Sequence, residues 1–587
     1  MRLLLTLCIA LAGSGQVLAA SFEPAWGRDG MVVTSVSPAA AVGQAVLERG
    51  GNAVDAAIAM GFVAGVANPF SSGLGGGLFA VVHDAETGTT KTLDARETAP
   101  AGATAGFYQE HPEAIRSGPY SVGVPGYVQG AWALHQEYGS LPWKALIEPA
   151  VALAEQGVEV SAWHHNAVAR VLGALEEYPE TRRVQTVGGM APPLGWKLVQ
   201  ADLARTLRWV QEQGEQALAA GVFAKKIEEA TGGAITELDL ARYKVKWREP
   251  IRSQYRGYVI VSMPLPSSGG ILLAQMLNVL ERYDPVALGK DSSDFIHLLA
   301  SVMKVAFEDR AEFLGDADFY EVPVERLISE AYADAQAARL DPEGQPRARS
   351  DAGQVPDDAG TTHISVMDRH GNAIALTQTI NSIFGSKITV PGTGIALNNE
   401  LDDFSVGPEL PNEWEAVGDA ANAVEPGKRP LSSMTPTIVL KDGQPRMVVG
   451  SPMGTIIIST VLHTLINTVD FGFDAQRAVH APRFHHQWKP DELWVEPEFP
   501  LDVRRRLETL GHTVVQRAFL GRGHMGAAQL VVFDPDRCLF FGGADGRRDS
   551  AAAGANIGEV PAPSADATCR LAVPDNAAVP NPGKPGP

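Results

Sequence analysis

Apolar and polar positions divide this chain into three textures. Near the start, Met31-Val32-Val33-Thr34 reads as a β-strand, and Pro38-Ala39-Ala40-Ala41 leads into a helix through Ala45-Val46-Leu47. Gly50-Gly51-Asn52 breaks that helix, and Ala53 to Met60 resumes as an alanine-rich helix suited to close packing. Gly73-Leu74-Gly75-Gly76-Gly77 then opens a strand over Leu78 to Val82. From about 120 to 340 the spacing is mainly helical, as in Ala131 to His135 and Leu203 to Val210, with Tyr258 to Val261 a strand. Pro264 to Gly270 is a rigid turn before another helix. After Thr361 the texture changes to hairpins. Ile364-Ser365-Val366-Met367 alternates as a strand with one buried face, and Arg369-His370-Gly371-Asn372 turns into its partner. Asp442-Gly443 joins a second pair of strands, and Asp534-Pro535-Asp536 a third. Between them a helix begins near Gly454 and runs through Val461, Leu465 and Val469. From Gly554 onward the chain is rich in Ala, Pro and Gly, the composition of an unstructured tail.

Composition narrows the possibilities. The 587 residues exceed one simple core but show no break into separate beads. The formal charge of −20 argues against a nucleic-acid partner, because phosphate binding needs a basic surface. No internal run reaches the ~20 apolar residues that span a bilayer. The first twenty residues differ: Arg2, an apolar run from Leu3 to Ala12, then small residues around Val17 to Ala20 form an export-signal pattern. The expectation is an exported protein without a membrane anchor, periplasmic in a Gram-negative source. Cys538 and Cys569 remain after removal of residues 1–20, and an oxidising compartment permits either a disulfide or two separate thiols.

Candidate chemistry centres on Thr361. The polar linker Asp351 to Gly360 has no apolar anchor, so it is exposed to scission. A cut before Thr361 would give that residue a free α-amine beside its own hydroxyl, uniting base and nucleophile; the residues alone also read as a plain strand start. Thr377 to Asn381 sets alternate polar groups on one face of a strand. Leu397 to Phe404 clusters carboxylates, Lys428 to Met434 places two hydroxyls in a turn, and Arg96 sits between Asp94 and Glu97. Gly450-Ser451-Pro452-Met453-Gly454 precedes a helix, where free backbone N–H groups suit an oxyanion. The glycine-rich turns lack the GK[ST] of a phosphate loop, and Asp402-Asp403 lacks the spacing of a calcium loop. His485-His486 are neighbours on a strand and point to opposite faces, a poor zinc pair.

Taken together, GGNAVDAAIA, DARETAP, MPLPSSGG, TTHISVMD, LNNELDDFS, KRPLSSM and APRFHHQW, in that order, resemble the γ-glutamyltranspeptidase (glutathione hydrolase) family from Met31 to about Gly554. The resemblance implies an α+β fold, the four-layer αββα sandwich of N-terminal nucleophile hydrolases. It also implies a precursor that cuts itself into a large subunit, residues 21–360, and a small one, residues 361–587, with an unstructured tail over 555–587. The two would remain associated as a heterodimer. By the same resemblance Thr361 is the nucleophile and Thr379 supports its amine and hydroxyl. Asn381, Glu400 and Asp403 hold the donor's α-amino group and nearby polar atoms. Arg96, Ser432 and Ser433 take its α-carboxylate, and the backbone N–H groups of Met453 and Gly454 form the oxyanion hole. Glutathione and related γ-glutamyl amides would be the donors, with water or an amino acid or peptide as acceptor, and neither metal nor organic cofactor is implied.

Three positions depart from the family pattern. Met453 stands where glycine is usual, tolerable for a backbone donor if its φ is negative. Leu78 follows the glycines where another is common, and Trp414 replaces a frequent tyrosine in a lid-like loop, Pro408 to Val417. Two other readings stay open at this level: a cephalosporin or glutaryl acylase of the same fold, or a non-catalytic exported binding protein.

Overall fold

The computed structural model describes residues 23–341, 360–407, 410–517 and 523–558. The signal pattern, the linker before Gly360, Cys569 and the tail from 559 lie outside them. Two seven-stranded sheets dominate. The first runs, in spatial order, through Ala551–Ala555, Gly30–Thr34, Gly360–Asp368, Ala373–Asn381, Gly77–Asp84, Thr89–Ala95 and Lys246–Arg248. The second runs through Ala25–Gly27, Leu539–Ala544, Gln529–Asp534, Gln444–Gly450, Thr437–Lys441, Tyr258–Ser262 and Ile251–Tyr255. Every pairing within both is antiparallel.

Side-chain chemistry explains the layering. Met31, Val33, Val81, Met367, Ile438, Val448 and Val531 form an apolar layer between the sheets. On the outer face of the first sheet, Val32, Val82, Ile364 and Val366 pack against the helices Ser37–Glu48, Ala53–Ala67, Trp143–Gln156 and Ala201–Gln213. On the outer face of the second, Ile260, Val439, Val449 and Leu530 meet Gly269–Leu280, Ser293–Phe313 and Ile456–Val469. The result is the αββα sandwich. Ala53–Ala67 is buried at every position, which its alanines and glycines allow, and a reciprocal Asn52–Asp55 capping box fixes its start.

Two expectations are corrected. The strand Gly360–Asp368 is buried on both faces rather than one, because the second sheet covers the side that alternation assigned to solvent. Order also continues past the start of the supposed tail: Gly554 lies inside Ala551–Ala555, an edge strand paired to Gly30–Thr34. Cys538, in the turn between Gln529–Asp534 and Leu539–Ala544, is disulfide-bonded. No helix among the described residues is long and apolar enough to cross a membrane.

Candidate active site

Thr361 opens the central strand at a register irregularity between Gly360 and Thr361, opposite Thr379. Odd-numbered residues of this strand face the second sheet, so its hydroxyl points between the layers and Thr361 is buried. Thr361 Oγ1 lies 3.0 Å from Thr379 Oγ1. Thr379 Oγ1 donates to the Gly360 carbonyl oxygen at 2.7 Å and accepts from the Asn381 backbone N–H at 2.8 Å. A hydroxyl has one proton, so with Thr379 committed to Gly360, Thr361 must be the donor between the two threonines. The peptide joining Gly360 to Thr361 therefore sits under a short chain of hydroxyls leading from Thr361 through Thr379 to the Gly360 carbonyl. Gly76 abuts this point: a Cβ there would collide with the Thr379 carbonyl oxygen, so only glycine lets the strands close.

Asn381, at φ 72°, turns out of the strand. Its Nδ2 donates to the Asn399 carbonyl at 3.2 Å, tying the threonine pair to the 3-10 turn Glu400–Asp403. In that turn two of the three carboxylates reach Arg96: Nη1 donates to Glu400 Oε1 and Nη2 to Asp403 Oδ2. Arg96 Nε donates to the Pro430 carbonyl at 3.3 Å, joining the turn that carries Ser432 and Ser433. Ser432 Oγ accepts from Met434 N at 3.1 Å, and Ser433 Oγ from Arg310 Nη2 at 3.3 Å. Neither serine hydroxyl bonds directly to Arg96.

This region holds more buried charge than it neutralises. Glu97 lies 4.0 Å from Arg96 Nη1, and neither of its carboxyl oxygens has a hydrogen-bond partner among the described residues. Burial, only partly opposed by Arg96, pushes its pKa up to about 8. Burial likewise raises Asp402 to about 7 and pushes Asp403 upward against the pull of Arg96 and Arg310. Clusters of this kind mark sites built for something other than stability.

Met453 and Gly454 precede the helix Ile456–Val469, as expected, but the condition placed on Met453 fails. Its φ is +102°, and that of Gly454 is +51°. The methionine side chain compensates by packing with Trp414, Ile456, Trp494 and Met525, and its sulfur accepts from Gly526 N at 3.0 Å. It thus fills an apolar pocket of its own. The Trp414 indole lies against Gly454, where any Cβ would strike the ring, and its Nε1 donates to Asn381 Oδ1 at 3.1 Å. Trp414 is buried. Leu78 is a core residue on the outer face of the first sheet.

Two cations escaped the sequence reading. Arg548 Nη1 donates to the Thr361 carbonyl at 2.8 Å, with its guanidinium carbon 4.8 Å above the Trp163 ring. Burial lowers its pKa to about 9. Arg310, on Ser293–Phe313, meets Ser433 as described. Both sit far in sequence from Thr361, in segments whose helical or turn pattern gives no sign of a site. His485 bonds Ser459 and Gln487 while His486 pairs with Asp491, so the two rings serve separate structural contacts. Among the described residues no group of three or more His, Cys, Asp or Glu could hold a metal.

A threonine hydroxyl at the head of an inner strand in an αββα sandwich defines the class of N-terminal nucleophile hydrolases. The chain belongs to the gamma-glutamyltranspeptidase family, whose model matches residues 39–555. It is 40% identical to the glutathione hydrolase proenzyme of Escherichia coli K12 over 535 residues, 88% of this chain and 90% of that one. The structure resembles a cephalosporin acylase from Bacillus halodurans with a TM-score of 0.80 at 29% identity, covering 91% of this chain and 97% of that one. It also resembles the Helicobacter pylori gamma-glutamyltranspeptidase with a TM-score of 0.51 at 40% identity, covering 52% of this chain and 90% of that one.

Proposed function

We propose that this protein is a self-processing γ-glutamyl hydrolase and transferase that takes glutathione and related γ-glutamyl amides as donors, with Thr361 as nucleophile. The observation that carries the reading is the hydroxyl chain from Thr361 through Thr379 to the Gly360 carbonyl, beside a buried Arg96–Asp403 pair. In maturation, Thr361 Oγ1 attacks the Gly360 carbonyl carbon. Its proton moves to Thr379, whose own proton passes to the Gly360 oxygen. Collapse breaks the Gly360 C–Thr361 N bond, returns the proton to nitrogen and leaves an ester on Oγ1. Water hydrolyses the ester, giving a Gly360 carboxylate and a free Thr361 amine.

In turnover that amine takes the hydroxyl proton while Oγ1 attacks the donor's γ-carbonyl. The backbone N–H groups of Met453 and Gly454 receive the oxyanion, and the departing amine takes the proton. Water or an amino acid or peptide acceptor then removes the γ-glutamyl group. The donor carries an ammonium and a carboxylate on one carbon. Arg96 is paired with Glu400 and Asp403. The donor enters as the complementary zwitterion: its carboxylate replaces the acids on Arg96 and meets Ser432 and Ser433, while its ammonium takes Asp403, Glu400 and Asn381. Bidentate, charge-assisted bonds favour arginine in this role.

The acylase reading has the overall resemblance in its favour, but it needs no ammonium site, and Glu400 and Asp403 supply one. Turnover of γ-glutamyl-p-nitroanilide against glutaryl-p-nitroanilide separates the two, and preference for the glutaryl substrate would overturn the assignment. Maturation is tested by sequencing the smaller fragment, which is expected to begin Thr-Thr-His-Ile and to copurify with residues of the large subunit. Export to the periplasm is part of the proposal; fractionation that finds the mature protein in the cytoplasm would refute it.

A further inference from the structure

Arg310 is a buried cation with no direct ion pair among the described residues. No carboxylate among the described residues lies within ion-pair distance, and the side chain is 5% exposed. Its guanidinium is committed at two of its three nitrogens. Nε donates to Ser268 Oγ at 3.1 Å and Nη2 to Ser433 Oγ at 3.3 Å, while Nη1 has no partner among the described residues. Ser268 in turn donates through both its N–H and its hydroxyl to the Ser432 carbonyl, each at 2.8 Å. The guanidinium therefore clamps the turn bearing Ser432 and Ser433 from behind, with one nitrogen left over.

Electrostatics place it at the same locus as Arg96. Burial, partly opposed by Asp403 and reinforced by Arg96, lowers its pKa to about 10. It still carries its charge at neutral pH. Burying a cation with no carboxylate in contact is costly, and the cost is recovered when an anion arrives.

We propose that Arg310 is a specificity-determining residue that, with Arg96, makes a two-guanidinium receptor for the donor's α-carboxylate, orienting the Ser433 hydroxyl and offering the free Nη1. The inference rests on the γ-glutamyl reading of the site. Arg96 is shared with Asp403 and Glu400, which the donor's ammonium also needs; Arg310 has no such rival claim. A carboxylate entering the site therefore meets one cation in direct contact with two protein acids and one in contact with none, and the second supplies the preference for a charged over a neutral group at that carbon.

The test uses three anilides with the mature enzyme: γ-glutamyl-p-nitroanilide, glutaryl-p-nitroanilide, which lacks the ammonium, and 4-aminobutyryl-p-nitroanilide, which lacks the carboxylate. Arg310→Met is expected to lower kcat/KM for the two carboxylate-bearing substrates by 10- to 100-fold, mainly through KM, and to change the 4-aminobutyryl substrate by less than threefold. Arg310→Lys keeps the charge without the fork and is expected to lose three- to tenfold on the carboxylate substrates alone. It also serves if Arg310→Met fails to mature. An equal loss on all three substrates means a purely structural role and overturns the proposal, as does no loss on any. If the parent enzyme fails to turn over γ-glutamyl-p-nitroanilide, the functional reading itself has failed; if it turns over and the variants do not discriminate, only the role of Arg310 has.

Discussion

Replacing Met453 by glycine and by alanine weighs backbone strain against packing at the proposed oxyanion loop. Both variants lose the thioether from its pocket between Trp414, Trp494 and Met525, a loss of about 2–5 kcal/mol for a buried methionine. The difference between them isolates the backbone. At φ +102° an L-residue lies beyond the left-handed well and toward the region that glycine alone occupies freely, so the strain is near the upper end of 1–3 kcal/mol, about 3. Against this, glycine costs about 0.5–1 kcal/mol in chain freedom and loses a buried methyl of about 0.8 kcal/mol. The balance favours Met453→Gly over Met453→Ala by about 1 kcal/mol, the reverse of the usual order. Carried into the unfolding barrier, that is about a fivefold longer half-life against irreversible heat inactivation for the glycine variant, both measured on mature enzyme at one temperature. The backbone donors survive in both variants. The kcat of Met453→Gly should therefore stay within about tenfold of the parent, whereas a lost oxyanion donor costs about 10²–10³. An alanine variant that outlasts the glycine variant would refute the strain argument.

Thr361→Ala is expected to leave a single uncut chain on denaturing electrophoresis and no turnover; two fragments would dismiss the self-cleavage route. Arg96→Ala strands Glu400 and Asp403 in a buried site, so it should destabilise the protein by about 3–5 kcal/mol and raise the donor KM at least tenfold, with kcat less affected. An unchanged KM would remove Arg96 from the donor site. Glu97 titrates near 8 when folded but at its ordinary lower value when unfolded, so the folded protein holds a proton that the unfolded chain releases. Its contribution to stability is therefore present at acid pH and declines as pH rises toward 8. Glu97→Gln should flatten the fall in thermal stability between pH 5 and 8; an unaltered slope would assign that fall elsewhere, Asp402 being the next candidate.

Much of this was legible in the sequence because its signals are local. Asp442-Gly443 sits between two β-rich runs and joins them as a hairpin, and the alanine-rich run Ala53 to Met60 reads as a close-packing helix. Thr361, Thr379, Asn381, Arg96, Glu400 and Asp403 stood out within short motifs, and the structure brings them into one connected site. What stayed hidden depends on the third dimension. Alternation in Ile364 to Met367 signals one apolar face but not that another sheet covers the polar one, where His363 and Ser365 satisfy each other. Arg310 reads as one more polar residue in a long helix until Ser433, 123 positions away, is laid against it. The φ of Met453 follows from the entry into its helix and from Trp414 pressing on Gly454, which no single-residue preference encodes.

The proposed scission before Thr361 would sever the chain inside a shared fabric. Each sheet draws strands from both sides of the cut: Gly30–Thr34, Gly77–Asp84 and Thr89–Ala95 from one side flank Gly360–Asp368 and Ala373–Asn381 from the other, and Tyr258–Ser262 lies beside Thr437–Lys441. The two products could not drift apart as ordinary partners do, since parting them would mean tearing both sheets. Dilution should leave the pair whole, and melting should release both pieces at once. Once unravelled, they would face a two-body search that the newly made single polypeptide never had to perform, so the proposed maturation would act as a one-way gate on refolding.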